Sequence, residues 1–170
     1  DKYITLTSVD KRFDIGLGED KLAAYSPLRK IISHRPSHLV HYVHLGYQSY
    51  FVSTIAIEML KGMNFDVVRL GDLKADFQEV EPVMRNTDFL SFDISAIQFA
   101  YAEANVYNSP NGLNGEEACK IMRYAGVSDK LSSVGLFEYN QELDVNNQTA
   151  QLLAQMIWYF VDGYKMRKQE

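Results

Sequence analysis

The stretch Asp88–Glu117, DFLSFDISAIQFAYAEANVYNSPNGLNGEE, decides how this chain is read. It opens on Phe89-Leu90-Ser91-Phe92, a short apolar run of the kind a buried strand needs. The run delivers one carboxylate, Asp93, to the strand's C-terminal end. An irregular segment with Asn108-Ser109-Pro110-Asn111-Gly112 follows, and Asn114 with Glu116 and Glu117 marks the start of a helix. Ligands of open α/β sheets sit outside the carboxyl ends of the strands, so Asp93 and the loop after it are where chemistry is expected.

Working outward, the same alternation recurs. Tyr3–Val9, Leu39–Gly46, Phe65–Leu70 and Leu131–Phe137 are short, apolar and rich in β-branched residues, which reads as four more strands. Between them lie helical patterns: a turn or two over Leu28–His34, and Val52, Ile55, Ala56, Met59 and Leu60 before a stop at Gly62. A short helix over Gln78–Met84 is expected to be interrupted by Pro82, and Glu116–Tyr124 to end at Gly126. The last helix starts near Asn147, and its tail Lys165-Met166-Arg167-Lys168 places cations where a helix C-terminus favours them. Gly16 and Gly18 mark a loop after the first strand. Strands alternating with helices predict a three-layer α/β/α structure with a mostly parallel sheet, in a single domain over residues 1–170.

Composition limits the partners. The 46% hydrophobic and 23% charged content is that of an ordinary globular protein, and 170 residues suffice for a real core. A net charge of −5 argues against a nucleic-acid backbone, whose neutralisation needs clustered Lys and Arg. No apolar stretch approaches the ~20 residues of a membrane span. The lone Cys119 offers neither a disulfide framework nor a cysteine zinc site, so a cytoplasmic setting is the default. The chain begins at Asp1 without Met and turns strand-like almost at once, which reads as part of a longer protein.

Three strand ends deliver polar residues to one edge of such a sheet: Asp10, Arg12 and Asp14; Asp93 and Ser95; Glu138 and Asn140. The four histidines are not read as metal ligands. His41 and His44 differ by three and face opposite sides of a strand, while His34 and His38 flank Pro36 in a loop. Asn111-Gly112-Leu113-Asn114 is a turn and helix cap by default. Trp158-Tyr159-Phe160 is read as packing, part of it at a subunit interface of a homo-oligomer.

These motifs resemble those of the arginase/agmatinase/formimidoylglutamase family, the ureohydrolases. The family's last metal-binding motif reads Ser-Phe-Asp-x-Asp, and here Ser91-Phe92-Asp93-Ile94-Ser95 stands, followed by Asn111-Gly112-Leu113. Its Asp-x-His-x-Asp element is similar to Asp10-Lys11-Arg12-Phe13-Asp14, and its Glu-x-Asn element to Glu138-Tyr139-Asn140. Ser26-Pro27-Leu28-Arg29 and Gly46-Tyr47-Gln48 resemble formimidoylglutamases more closely than arginases.

The resemblance implies the C-terminal portion of an arginase-like fold, incomplete at its N-terminal side. It implies manganese-dependent hydrolysis of a C–N bond in N-formimidoyl-glutamate, giving glutamate and formamide in histidine degradation. It implies metal ligands at Asp10, Asp14 and Asp93, catalytic roles for Asp14 and Glu138, and substrate contacts from Glu138, Asn140 and Asn111. The departures are Arg12 and Ser95, which stand where the family has a histidine and a second aspartate. A guanidinium stays protonated and cannot donate to a metal. The site is therefore expected to be degenerate, with no tight pair of manganese ions and no turnover by this chain alone. Arg12 is expected to replace metal charge by hydrogen-bonding Asp10, Asp14 or Asp93. Two other readings are open: a non-catalytic pseudoenzyme of the same fold acting as a binding or assembly subunit, and an unrelated α/β domain that binds a small molecule through Asp93 and Glu138.

Overall fold

Alternating burial along Ile4–Val9 makes it a strand, β1, whose odd residues enter one core while Leu6 and Ser8 face the other. The computed structural model describes residues 3–16 and 27–167; Gly18, Ser26 and Lys168 of the sequence reading lie outside the described residues. Around β1 the strands β2 (Leu39–Tyr47), β3 (Asp66–Arg69), β4 (Phe89–Asp93) and β5 (Ser133–Phe137) form one sheet in the order β3-β2-β1-β4-β5. Every pairing is parallel. The chain runs outward from β1 to β3, then returns to place β4 on the other flank of β1. The ends of β1 and β4 therefore flank a topological switch point, where such sheets open a crevice.

Two cores follow from the strand alternation. Val9, Val43, Leu45, Leu90 and Phe92 pack on one face with α3 (Leu70–Ala75), α4 (Val80–Arg85), α5 (Gly115–Val127) and α6 (Gln148–Tyr164). On the other face Tyr42 and Phe13 pack with α1 (Pro27–Ser33) and α2 (Thr54–Gly62). This is the three-layer α/β/α architecture, with a sheet that is wholly parallel among the described residues.

Three boundaries differ from the sequence reading. Helix α3, absent from it, begins directly after β3 and buries Leu73. Pro82 does not interrupt α4, because it is the third residue of that helix, where a backbone N–H has no intrahelical partner to lose. Gly126 does not end α5, which runs on to Val127. Its lack of a side chain serves a helix crossing instead. A Cβ on Gly126 would stand 2.1 Å from the Phe160 carbonyl oxygen, and one on Gly163 would stand 2.3 Å from that of Arg123. Either Gly→Ala change gains about 1 kcal/mol of helix propensity. It also forces α5 and α6 apart, so the expected net loss is about 1–3 kcal/mol in urea unfolding. Unchanged midpoints for both variants would show that the helices separate freely.

The long loop after β4 is pinned to the sheet end. Leu113 donates its amide to Ala96 O at 2.8 Å, and Gln98 to Leu113 O at 2.9 Å. Asn114 then caps α5 in a reciprocal box with Glu117, as the sequence indicates. On α6, Ile157, Trp158, Val161 and Tyr164 form an exposed apolar stripe. Among the described residues no helix is long and apolar enough to cross a membrane.

Candidate metal and substrate site

The apolar interior of β1 ends at Val9, and the next residues turn over the sheet's C-terminal edge. Asp10 is buried and its carboxylate accepts from the Arg12 amide at 3.0 Å. Asp93, at the end of neighbouring β4, accepts from the Ser95 amide at 2.7 Å. Asp14 completes the group with a backbone φ of 38°, in the left-handed region that costs a residue with a side chain. Each of the three offers an oxygen within 4.8 Å of the others. Glu138 follows β5 with a φ of 69° and lines the same cavity of about 500 Å³, together with Arg12, Tyr107 and the apolar Leu28, Ile31, Phe89 and Phe137. The strand ends converge as their sequence positions indicate.

The cluster crowds three carboxyls whose negative charge Arg12 and Lys11 offset only in part. Burial pushes the Asp10 carboxyl well above the ordinary carboxylate range, and Asp93 and Asp14 push it further. Asp14 is raised to about 6 by burial and by the Asp93 charge, against the opposing pull of Arg12. Asp93 is raised by burial, with Ser95, Arg12 and Lys11 opposing. A hard, oxygen-rich set of this kind fits one divalent cation, which would supply the missing positive charge. It does not fit the pair of manganese ions of the family motif. Arg12 cannot ligate, and Ser95 is fully buried outside the lining of the cavity.

Arg12 behaves differently from the sequence expectation. Among the described residues no carboxylate oxygen lies within 4.0 Å of its nitrogens. Its guanidinium instead lies over the Tyr107 ring, 4.4 Å from the centroid. The charge still acts on all three aspartates through space, but Arg12 is not their hydrogen-bonded counter-ion. Tyr107 is a site residue that the sequence reading missed. Its single weak signal is an aromatic placed in the loop between Asp93 and the α5 cap.

The structure does not bring Asn111 or Asn140 to this cavity. The Asn111 carbonyl accepts from Gln48 Nε2 at 3.1 Å, and Asn140 caps a turn by accepting from the Glu142 amide at 3.0 Å. Gln48, from the Gly46-Tyr47-Gln48 segment, is buried and thereby ties the end of β2 to the loop after β4. Lys11, buried and set over Phe51, ties the end of β1 to the same loop by donating to the Tyr107 carbonyl.

The histidines stand outside the cluster, as their spacing indicates. His41 is half-buried and pairs with Asp66 at 2.9 Å. His44 is wholly buried; its Nε2 donates to the Asp10 carbonyl at 2.8 Å, and its Nδ1 accepts from the Tyr42 hydroxyl at 2.8 Å. Burial lowers its pKa to about 4, so it is neutral and fixes the backbone that carries Asp10.

Comparison with known proteins places this geometry. A family model described as the Arginase family matches residues 13–162. Comparison with curated proteins gave no match. Among solved structures, a Trypanosoma cruzi formiminoglutamase with Mn2+2 superposes at a TM-score of 0.87 with 17% identity, covering 97% of this chain and 58% of that one. The formimidoylglutamase of Bacillus subtilis gives 0.84 and 19%, covering 98% and 55%. The agmatine ureohydrolase of Thermoplasma volcanium gives 0.76 and 20%, covering 98% and 56%. The chain thus spans little more than half the length of these solved proteins. The match removes the reading as an unrelated α/β domain: with its parallel sheet, its aspartates at the switch point and a family match over most of its length, this chain belongs to the arginase family.

Proposed function

We propose that the chain is part of a formimidoylglutamase-like ureohydrolase, hydrolysing the C–N bond of N-formimidoyl-glutamate to glutamate and formamide in histidine degradation. The observation that supports it is the convergence of Asp10, Asp14 and Asp93 within 4.8 Å at the ends of adjacent strands, in a cavity that Glu138 shares. In this reading Asp10, Asp14 and Asp93 would hold a divalent cation, manganese by family type. When bound, such a cation supplies Lewis acidity and lowers the pKa of water. Without a cation the Asp14 carboxyl is raised to about 6; holding one would require its carboxylate form, which could then accept a hydrogen bond from the attacking water. Glu138 faces the cationic amidine. A cytoplasmic homo-oligomer is part of the proposal, supported by the lone Cys119 and by the exposed apolar stripe of α6.

Arg12 and Ser95 favour a second reading, a non-catalytic subunit of the same fold that binds without turnover. Manganese titration by calorimetry, paired with assays of formamide release from formimidoyl-glutamate and urea release from arginine and agmatine, separates the two. For this chain we expect a single weak site, with a Kd on the order of 10⁻⁴–10⁻³ M. We expect no turnover by the chain alone, because a catalytic site needs a preorganised ligand shell. The hydrolytic reading then requires that the protein with its full family-length sequence release formamide; if it binds manganese without any release, the non-catalytic reading stands. Two tight manganese sites, or chelator-sensitive turnover by residues 1–170, would show that the ligand set is misassigned.

A further inference from the structure

We infer that the chain carries a second ligand site, a cavity at the carboxyl ends of β2 and β3 that takes a small oxyanion, a phosphate or carboxylate group, through Arg69. The cavity shares no lining residue with the one that holds the aspartates, so the inference does not rest on the hydrolytic reading. Its volume of about 260 Å³ lies below the roughly 300–1,000 Å³ of drug-sized sites, which suits an anion of few atoms.

Three observations carry it. First, the lining has one sign of charge. Arg69 and Lys74 are its charged residues and no Asp or Glu lines it, although the chain as a whole carries a net charge of −5. Lys74 shares its charge with Glu117 at 3.0 Å, which stands outside the lining, so the surplus belongs to Arg69. Second, the donors here are not consumed by the protein. Among the described residues the Arg69 side chain makes no ion pair and no hydrogen bond. A guanidinium has five N–H donors and matches an oxyanion with two parallel bonds. Asn111 lines the same cavity and is held through its backbone, by Ser109 and Gln48, which leaves its side-chain amide as a neutral donor. Third, the sheet opens at this point. Leu45 pairs with Val68 and then Tyr47 with Arg69, so Gly46, at a φ of 93°, is an extra residue in β2. A bulge of this kind breaks regular pairing and re-aims the side chains beside it. The pair beyond it, Tyr47 and Arg69, both line the cavity. Carboxyl ends of parallel strands are also where such sheets bind ligands.

The test is an NMR titration of the full 170-residue chain with sodium phosphate and, separately, sodium acetate, at pH 7.5 and low salt with chelator present. We expect saturable shifts at Gly71, Gln98 and Asn111, with a Kd on the order of 10⁻³ M. Saturation by either anion supports the site, and the tighter of the two names the group it takes. Arg69→Gln should weaken binding about tenfold, the scale of one charge-assisted pair. Gly71→Asp brings a carboxylate to the lining and should abolish binding; a Cβ at Gly71 meets no atom within 4 Å, so the variant fits the fold. Shifts centred on Arg12 and Tyr107, binding that survives both substitutions, or no saturable shift with either anion overturns the inference.

Discussion

Replacing Asp14 by Asn is expected to make the protein more stable at neutral pH while weakening its hold on a divalent cation. The folded-state carboxyl is raised to about 6, first by burial and then by the Asp93 charge. An acid raised in this way keeps its proton longer in the native state than in the unfolded chain. Between pH about 4 and about 6 the native state therefore binds more protons, and stability falls as the pH rises through that window. Above it the deficit is fully present, at about 1–2 kcal/mol once the partial exposure of the group is allowed for. Asn carries no charge and tolerates the φ of 38° better than most residues. Thermal melts in chelator should show the variant above wild type at pH 7.5 and level with it near pH 4. Added Mn²⁺ should raise wild type by mass action and leave the variant nearly unmoved. A variant no more stable than wild type at pH 7.5 would show that the cluster is already neutralised.

The largest loss of stability is expected at His44. Its imidazole spans the buried gap between the Tyr42 hydroxyl and the Asp10 carbonyl, with Phe13 set edge-on at 4.7 Å. His44→Ala opens a cavity and leaves both polar groups without this partner, for a cost of about 3–5 kcal/mol in urea unfolding at pH 7.5. The sign of its pH dependence is opposite to that of Asp14. A base whose folded-state pKa is lowered to about 4 binds fewer protons than the unfolded chain between there and about 6.5. Stability is complete above that window and is lost as the pH falls through it, by about 3 kcal/mol over the full span. The wild-type curve sums these two groups with Asp10 and Asp93, whose carboxyls are also raised. The difference from the Asp14→Asn curve reports Asp14 together with its coupling to those two carboxyls, and the difference from His44→Gln reports the base. A His44→Ala variant within about 1 kcal/mol of wild type would show that water or backbone shifts replace the imidazole.

The chemistry at the strand ends was legible in the sequence because it is local. Apolar β-branched runs bury themselves, and a carboxylate directly after such a run must emerge at the sheet's edge; this fixed Asp10, Asp93 and Glu138 before any coordinates. The same local logic placed the Asn114 cap and kept His41 and His44 on opposite faces. The tertiary structure decided what depends on neighbours remote in the chain. Gly126 reads as a helix stop, yet it is the point where α6 crosses α5 without room for a Cβ. Asn111 and Asn140 sit in loops that follow site strands, but hydrogen bonds to Gln48 and Glu142 turn them to structural use. Arg12 stands among three aspartates in sequence pattern and in space, and pairing with them was the economical expectation. Its guanidinium lies instead over Tyr107, 95 positions along the chain, while Asp10 and Asp93 are held by the backbone amides of Arg12 and Ser95.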